Sequence, residues 1–168
     1  MNNTWDADSY RDNFSFVPKY GEDVLKLLTV GLGSKVVDLG CGNGSLTDRL
    51  QSLGYQVMGI DASPAMLEIA RKEYPNISFQ QADALSFQLD KPADAIFSNA
   101  VFHWIDADKQ ETLLRNVSRN LRPGGELVCE FGGYGCGEAV HSTLEELFRE
   151  HKRTYKKIVS RQSGNMRR

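Results

Sequence analysis

The sequence predicts an α/β domain: a doubly wound parallel sheet with helices on both faces. Three observations carry that expectation. Short β-branched or apolar runs alternate with stretches of helical period along most of the chain. Lys35-Val36-Val37-Asp38-Leu39 reads as a strand, runs into Gly40, Gly42 and Gly44, and is followed by Leu46, Leu50 and Leu53 at roughly helical spacing. Polar residues recur where the strands should end, as at a ligand-binding rim.

Each element has its own signals. Val24, Leu25, Leu27 and Leu28 mark a helix before Gly31 and Gly33. The first strand lies near Val36–Leu39, and its crossover helix stops at Gly54. The second strand lies near Gln56–Ile60. Ser63-Pro64 then opens a helix as cap and first-turn proline, with Met66, Leu67, Ile69 and Ala70 on its apolar side and Pro75 at its end. The third strand lies near Ile77–Gln81 and the fourth near Ala93–Ser98. Leu113, Leu114, Val117 and Leu121 mark the next helix, which Pro123-Gly124-Gly125 ends before a fifth strand near Glu126–Phe131. From about Glu138 the pattern is helical again through Val140, Leu144, Leu147, Phe148, His151, Tyr155 and Ile158. Strands separated by helices of this length give right-handed crossovers and a parallel sheet.

Size and composition narrow the classes. A chain of 168 residues is one domain by the usual prior, and 40% hydrophobic content suffices for a core. The expected divisions are an N-terminal lid and helix over 1–34, a ligand-binding core over 35–135, and a C-terminal helix with a basic tail over 136–168. No apolar run reaches the roughly 18 residues of a membrane span. Met1-Asn2-Asn3-Thr4-Trp5-Asp6 lacks the basic-then-apolar order of a signal peptide. Cys41, Cys129 and Cys136 fit neither a disulfide framework nor a zinc site, so no metal is expected and a reducing, cytoplasmic setting is.

The net charge of −2 hides an asymmetry: residues 149–168 carry eight Lys/Arg and one acid, leaving about −9 on the body and +7 on the end. An acidic body argues against nucleic acid as a general partner. The basic end reads as a solvated helix and a frayed terminus, with nucleic acid or another acidic surface as its alternative partner.

The rim residues suggest a ligand. Asp38 ends the first strand, Asp61 the second, Asp83 follows the third, and Ser98-Asn99 ends the fourth. A carboxylate at Asp61, seventeen residues after Gly44, is placed to accept hydrogen bonds from two ribose hydroxyls; its alternative is a cap for the Ser63-Pro64-Ala65 helix. Asp83 is placed to take the exocyclic amine of an adenine while Leu85 packs the ring, or else is a turn residue. Asp38 either orients the turn or meets a cationic ammonium. No Lys or Arg occurs between Lys35 and Arg49. A pyrophosphate would be repelled, whereas S-adenosylmethionine, with a sulfonium and an ammonium, suits these acids.

At this point the chain resembles the class I S-adenosylmethionine-dependent methyltransferases. The matches are Val36–Gly44, Gly59-Ile60-Asp61-Ala62-Ser63, Gln81-Ala82-Asp83-Ala84 and Leu121-Arg122-Pro123-Gly124-Gly125, in the family's order and spacing. Phe97-Ser98-Asn99-Ala100-Val101-Phe102-His103-Trp104, with Trp5-Asp6-Ala7 and Phe14-Ser15-Phe16-Val17, looks like the trans-aconitate methyltransferase-like branch of small-molecule enzymes over about residues 5–148.

The resemblance implies a Rossmann-like sheet of five parallel strands in order 3-2-1-4-5, then a hairpin of strands six and seven, for which no strand pattern follows the last helical stretch. It implies that Gly40, Cys41, Gly42, Asn43 and Gly44 cradle the methionine part of the cofactor, with Asp38 beside them. By the same likeness Asp61 holds the ribose, Ala62 and Met66 lie near the adenosine, Asp83 and Ala84 bracket the adenine, and Asn99 and Ala100 line the methyl end. Trp5, Tyr10 and Phe14 would form a lid. An exposed fifth-strand edge would be covered by the 138–158 helix or by a second copy of the chain.

The chemistry expected is in-line methyl transfer to a small molecule, with a carboxylate as one acceptor class. His103 reads either as base or acceptor contact, or as a packed histidine at a helix edge. Trp104 reads as core or as an aromatic face near a sulfonium. Two rival readings are a non-catalytic cofactor-binding domain and a nicotinamide-dependent oxidoreductase. The second is disfavoured by Ser45 at the third small position of a dinucleotide fingerprint and by the acidic rim.

Overall fold

The computed structural model describes residues 23–133 together with Gly135, Cys136, Ser142, Thr143 and Glu146. Trp5, Tyr10 and Phe14, and most of the expected C-terminal helix and basic tail, lie outside the described residues; Ser142, Thr143 and Glu146 are helical. Among the described residues the sheet has five strands: β1 (Lys35–Leu39), β2 (Gln56–Asp61), β3 (Ser78–Gln81), β4 (Ala93–Asn99) and β5 (Leu121–Glu130). All pair in parallel in the order β3-β2-β1-β4-β5.

Three helices connect them: α1 (Ser45–Ser52), α2 (Pro64–Glu73) and α3 (Gln110–Asn120). α1 ends where Leu53 caps it and Gly54 turns at φ +98°, a backbone conformation that glycine adopts without a Cβ clash. α2 begins as expected, with the Ser63 hydroxyl accepting from the Met66 N–H at 3.3 Å and Pro64 in the first turn.

Side-chain alternation divides the core between the two faces. Val37, Leu39 and Ile96 join Ile60, Phe87, Leu113 and Val117 on one side. Val36, Ala95 and Phe97 join Leu25, Leu28, Leu50 and Val128 on the other. β1 and β4 are covered on both faces, which is why they read as nearly continuous apolar runs.

One boundary differs from the expectation. α3 ends at Asn120, ahead of Pro123-Gly124-Gly125, and Leu121 already pairs with Ala93. The register then jumps, Ala95 facing Glu126, so Arg122–Gly125 form an irregularity inside β5 instead of a helix terminator. Arg122 Nε donates to Asp94 Oδ1 at 2.5 Å and holds this irregular segment against β4. No helix among the described residues is long and apolar enough to cross a membrane.

Candidate functional site

The strand order reverses between β1 and β4, and a parallel sheet opens a crevice at the carboxyl ends of strands beside such a point. The glycine turn sits there. Gly40 follows β1 with φ +79°, and a Cβ on it would fall inside the Val101 side chain, so the close approach of the β1 and β4 ends requires glycine. Gly40 and Cys41 donate their N–H groups to the Ile60 carbonyl at 2.7 and 3.0 Å, tying the turn to β2. Asn43 Oδ1 accepts from the Ser45 N–H at 3.2 Å, and Gly44 at φ +82° is the N-cap of α1.

Asp61, at the tip of β2, reaches across to this turn. Its Oδ2 accepts from the Gly42 N–H and its Oδ1 from the Ser63 N–H, both at 2.8 Å. The two sequence readings of Asp61 therefore meet in one side chain: it braces the entry to α2 and also holds the glycine loop. A carboxylate offers about four lone-pair positions, so roughly two remain for a ligand. Ala62 is exposed beside it, and Met66 Cε would lie 3.2 Å from a Cβ placed on Gly42.

Asp38 lies beneath the turn, only 2% exposed, and its Oδ2 accepts from the Thr47 hydroxyl at 2.6 Å. Burial pushes its pKa up to about 7, the Thr47 bond opposes that rise, and the charge of Asp61 adds to it. Its carboxylate thus turns inward to the start of α1. Cys41 is buried in the same turn, and burial, with the charges of Asp38 and Asp61, pushes its thiol up, which keeps it protonated and inert.

After β3, Asp83 accepts the Leu85 N–H on Oδ1 at 2.8 Å, and its carbonyl accepts from Ser86 and Phe87. The loop residue read from sequence as adenine ligand or turn former is a turn former with an exposed carboxylate. Ala84 is half-buried beside it.

Beyond β4 the backbone is strained. Ala100 has φ +59°, an unusual conformation for a residue with a Cβ, and its N–H is held by the Glu130 carbonyl at 2.8 Å. Asn99 Oδ1 is buried with no hydrogen-bond partner among the described residues. A 3-10 turn, Phe102–Trp104, follows. His103 Nδ1 accepts from the Gly132 N–H at 3.3 Å, and Phe102 stacks on Phe131 at 5.4 Å. Burial lowers the His103 pKa, and the Glu130 charge opposes that shift. Trp104 is 58% exposed, donates Nε1–H to the Ala100 carbonyl and tilts against His103, so it is a rim residue and not core.

Most of the described candidates therefore gather on one rim, with Asp38 directly under it. Sequence reasoning missed the supports. Thr47 is the partner of Asp38, and Gln110 Nε2 donates to the Phe102 and Ile105 carbonyls; Ser98, set at the rim with Asn99 by the sequence, is instead buried and donates to the Leu39 carbonyl at 2.7 Å. Asn116 and Asn120 were missed as well; the signal for them was their place at helical spacing with Leu113 and Val117 on the buried face of α3, where polar residues call for partners.

The sequence of residues 36–125 matches the family model for a methyltransferase domain. An uncharacterized methyltransferase of Schizosaccharomyces pombe is 38% identical over 136 residues, covering 78% of this chain and 52% of that protein. A trans-aconitate 2-methyltransferase of Methylobacterium nodulans is 35% identical over 128 residues, covering 75% of this chain and 49% of the relative. The chain thus spans about half the length of these curated relatives. Among solved structures, a TehB-like methyltransferase from Corynebacterium glutamicum superposes with a TM-score of 0.66 at 24% identity, covering 83% of this chain and 81% of that one, and shares the fold. With its family motifs arrayed along one crevice of such a sheet, the chain belongs to the methyltransferase domain family.

Proposed function

We propose that the chain binds S-adenosylmethionine at the β1–β4 crevice and directs its methyl group to a small-molecule acceptor, a carboxylate being the class best supported. The observation that carries this reading is Asp61: one carboxylate fixed by two backbone N–H groups beside the glycine turn, with lone pairs left for a vicinal diol.

The donor chemistry of the rim fits such a cofactor. The buried Asn99 Oδ1, without a partner among the described residues, is an acceptor awaiting a donor, and leaving it so costs about 1–3 kcal/mol. An ammonium group supplies that donor. No Lys or Arg stands between Lys35 and Arg49 to attract a pyrophosphate, which weighs against the nicotinamide alternative. Gly40, Gly42 and Gly44 would hold the amino-acid end, with Asn43 in the same turn and Asp38 below it. Asp61, Ala62 and Met66 would hold the ribose side, Asp83 and Ala84 the adenine side, and Asn99 and Ala100 the methyl end.

When bound, S-adenosylmethionine supplies a methyl group on a cationic sulfur. The chain's own residues then orient the partners and exclude water, and such positioning is worth roughly 7–11 kcal/mol. A carboxylate acceptor would use its own lone pair and would need no proton removed, so the chain would need to supply no base. The relative named for trans-aconitate supports this acceptor class. His103 and Trp104 stand where an acceptor would arrive, with the Trp5, Tyr10 and Phe14 segment proposed as its cover. The cytoplasm is the compartment we propose.

Incubating the chain with methyl-labelled cofactor and a panel of carboxylic acids, with mass-spectrometric detection, tests the proposal. A methyl-sized gain on one acid is expected. Cofactor binding with no product on any acceptor would leave a binding domain in place of an enzyme.

A further inference from the structure

The loop from Asp83 to Leu89 leaves β3 and carries both residues assigned to the adenine, yet no strand or helix holds its backbone. Two side chains on α3 do. Asn116 Nδ2 donates to the carbonyls of Ala84 and Phe87 at 3.1 and 3.2 Å. Asn120 Nδ2 donates to the same Phe87 carbonyl at 3.1 Å and to the Asn116 carbonyl at 2.9 Å, while its Oδ1 accepts the Leu89 N–H at 2.9 Å. Donor and acceptor ends of the Asn120 amide are thus both used. The two residues are 8% and 7% exposed, on a face otherwise made of Leu113 and Val117.

Asparagine is a poor helix former, and burying an amide is costly unless it is paired. A pure packing role would be met by leucine. These amides instead satisfy three backbone groups of a single loop. Asp83 closes that loop from its other end through the Leu85 N–H. The carboxylate of Asp83 therefore stands on backbone fixed from two sides.

We infer that Asn116 and Asn120 are positioning residues that fix the Asp83–Leu89 loop so that its Asp83 carboxylate reads the exocyclic amine of a bound adenine; this rests on the adenosyl-binding reading above. A carboxylate accepts from an exocyclic amine but repels the oxo group that replaces it in hypoxanthine. That discrimination depends on where the carboxylate points, so loosening its backbone erodes selectivity as well as affinity. A support with no role in ligand reading would lower stability and leave selectivity untouched.

The test is calorimetric titration of the full chain with S-adenosylhomocysteine and with S-inosylhomocysteine. Wild type should prefer the adenosyl ligand, and Asp83→Asn should lose most of that preference. Asn116→Asp, isosteric but presenting an oxygen to two carbonyls, should cut the preference about threefold to tenfold, the scale of one positioned hydrogen bond. Asn116→Leu removes the donor without adding a charge and carries the same expectation should the aspartate variant not fold. Preference lost in Asp83→Asn but intact in the folded Asn116 variants overturns the inference alone. Absent binding, or a wild type without preference, or a preference that survives Asp83→Asn, overturns the adenine reading and this inference with it.

Discussion

Asp38 shows how a motif residue can serve from beneath a site. From sequence it was either a turn organiser or a partner for an ammonium, and the Thr47 bond places its carboxylate under the turn. Its raised pKa has a sign that can be worked out. The folded state holds a proton that the unfolded chain releases between roughly pH 4 and 7, so this group's contribution to stability is full below about 4 and is lost as pH rises through about 7. Asp38→Asn keeps an acceptor for Thr47 and removes the titration. Urea unfolding across that range should show the variant gaining on wild type as pH rises, with its advantage largest above pH 7. A constant difference would mean that Asp38 does not titrate there.

His103 makes a second prediction at this scale. Because Nδ1 accepts the Gly132 N–H, the ring proton sits on Nε2, and a neutral imidazole of that tautomer presents a donor. Nitrogen NMR at pH 7, assigned by difference against His103→Gln, should show a protonated Nε2 and a bare Nδ1. A proton on Nδ1 would contradict the geometry. The sequence placed His103 at the rim, but a tautomer depends on a Gly132 amide twenty-nine residues away, which no local pattern encodes.

Among the elements, the strands were the most legible, because β1 and β4 are buried on both faces and their apolar runs are nearly continuous, interrupted within by Asp38 and Asp94. α2 was legible from its cap and proline. β5 was not fully so. Pro123-Gly124-Gly125 reads as a helix stop, yet the end of α3 is set by Leu121 joining β4, a long-range pairing. Glu126, just past the irregularity, performs a task that composition could not reveal. Its carboxylate accepts from the N–H groups of Thr29 and Val30 and from the Thr29 hydroxyl, at 2.8, 3.1 and 2.6 Å, and so anchors the segment leading into β1. In Glu126→Ala these amides lose their acceptor, and hydrogen exchange at Thr29 and Val30 should accelerate while amides in β1 stay protected. Unchanged exchange at both positions would show the anchor to be dispensable.

For the whole molecule, the sheet order creates one crevice, and residues that the sequence sets at separate strand ends lie together along it. Strand ends converge because a parallel sheet points all its carboxyl ends the same way. What a linear reading could not supply was the support around them: Thr47 under Asp38, Asn116 and Asn120 under the Asp83 loop, and Gln110 under the turn that bears His103. These contacts join residues on different elements, and only the packed fold brings them within reach. The acidic body, about −9 before residue 149, adds a field that favours a cationic ligand over a pyrophosphate at that crevice. The central claim is that Asp61 and the glycine turn form one binding unit for the adenosyl donor. Calorimetric titration of wild type and Asp61→Ala with S-adenosylhomocysteine tests it most directly. Wild type should bind, and the variant should bind about tenfold or more weakly, as expected for losing charge-assisted bonds to a diol; equal affinities, or a wild type that does not bind, would contradict the account.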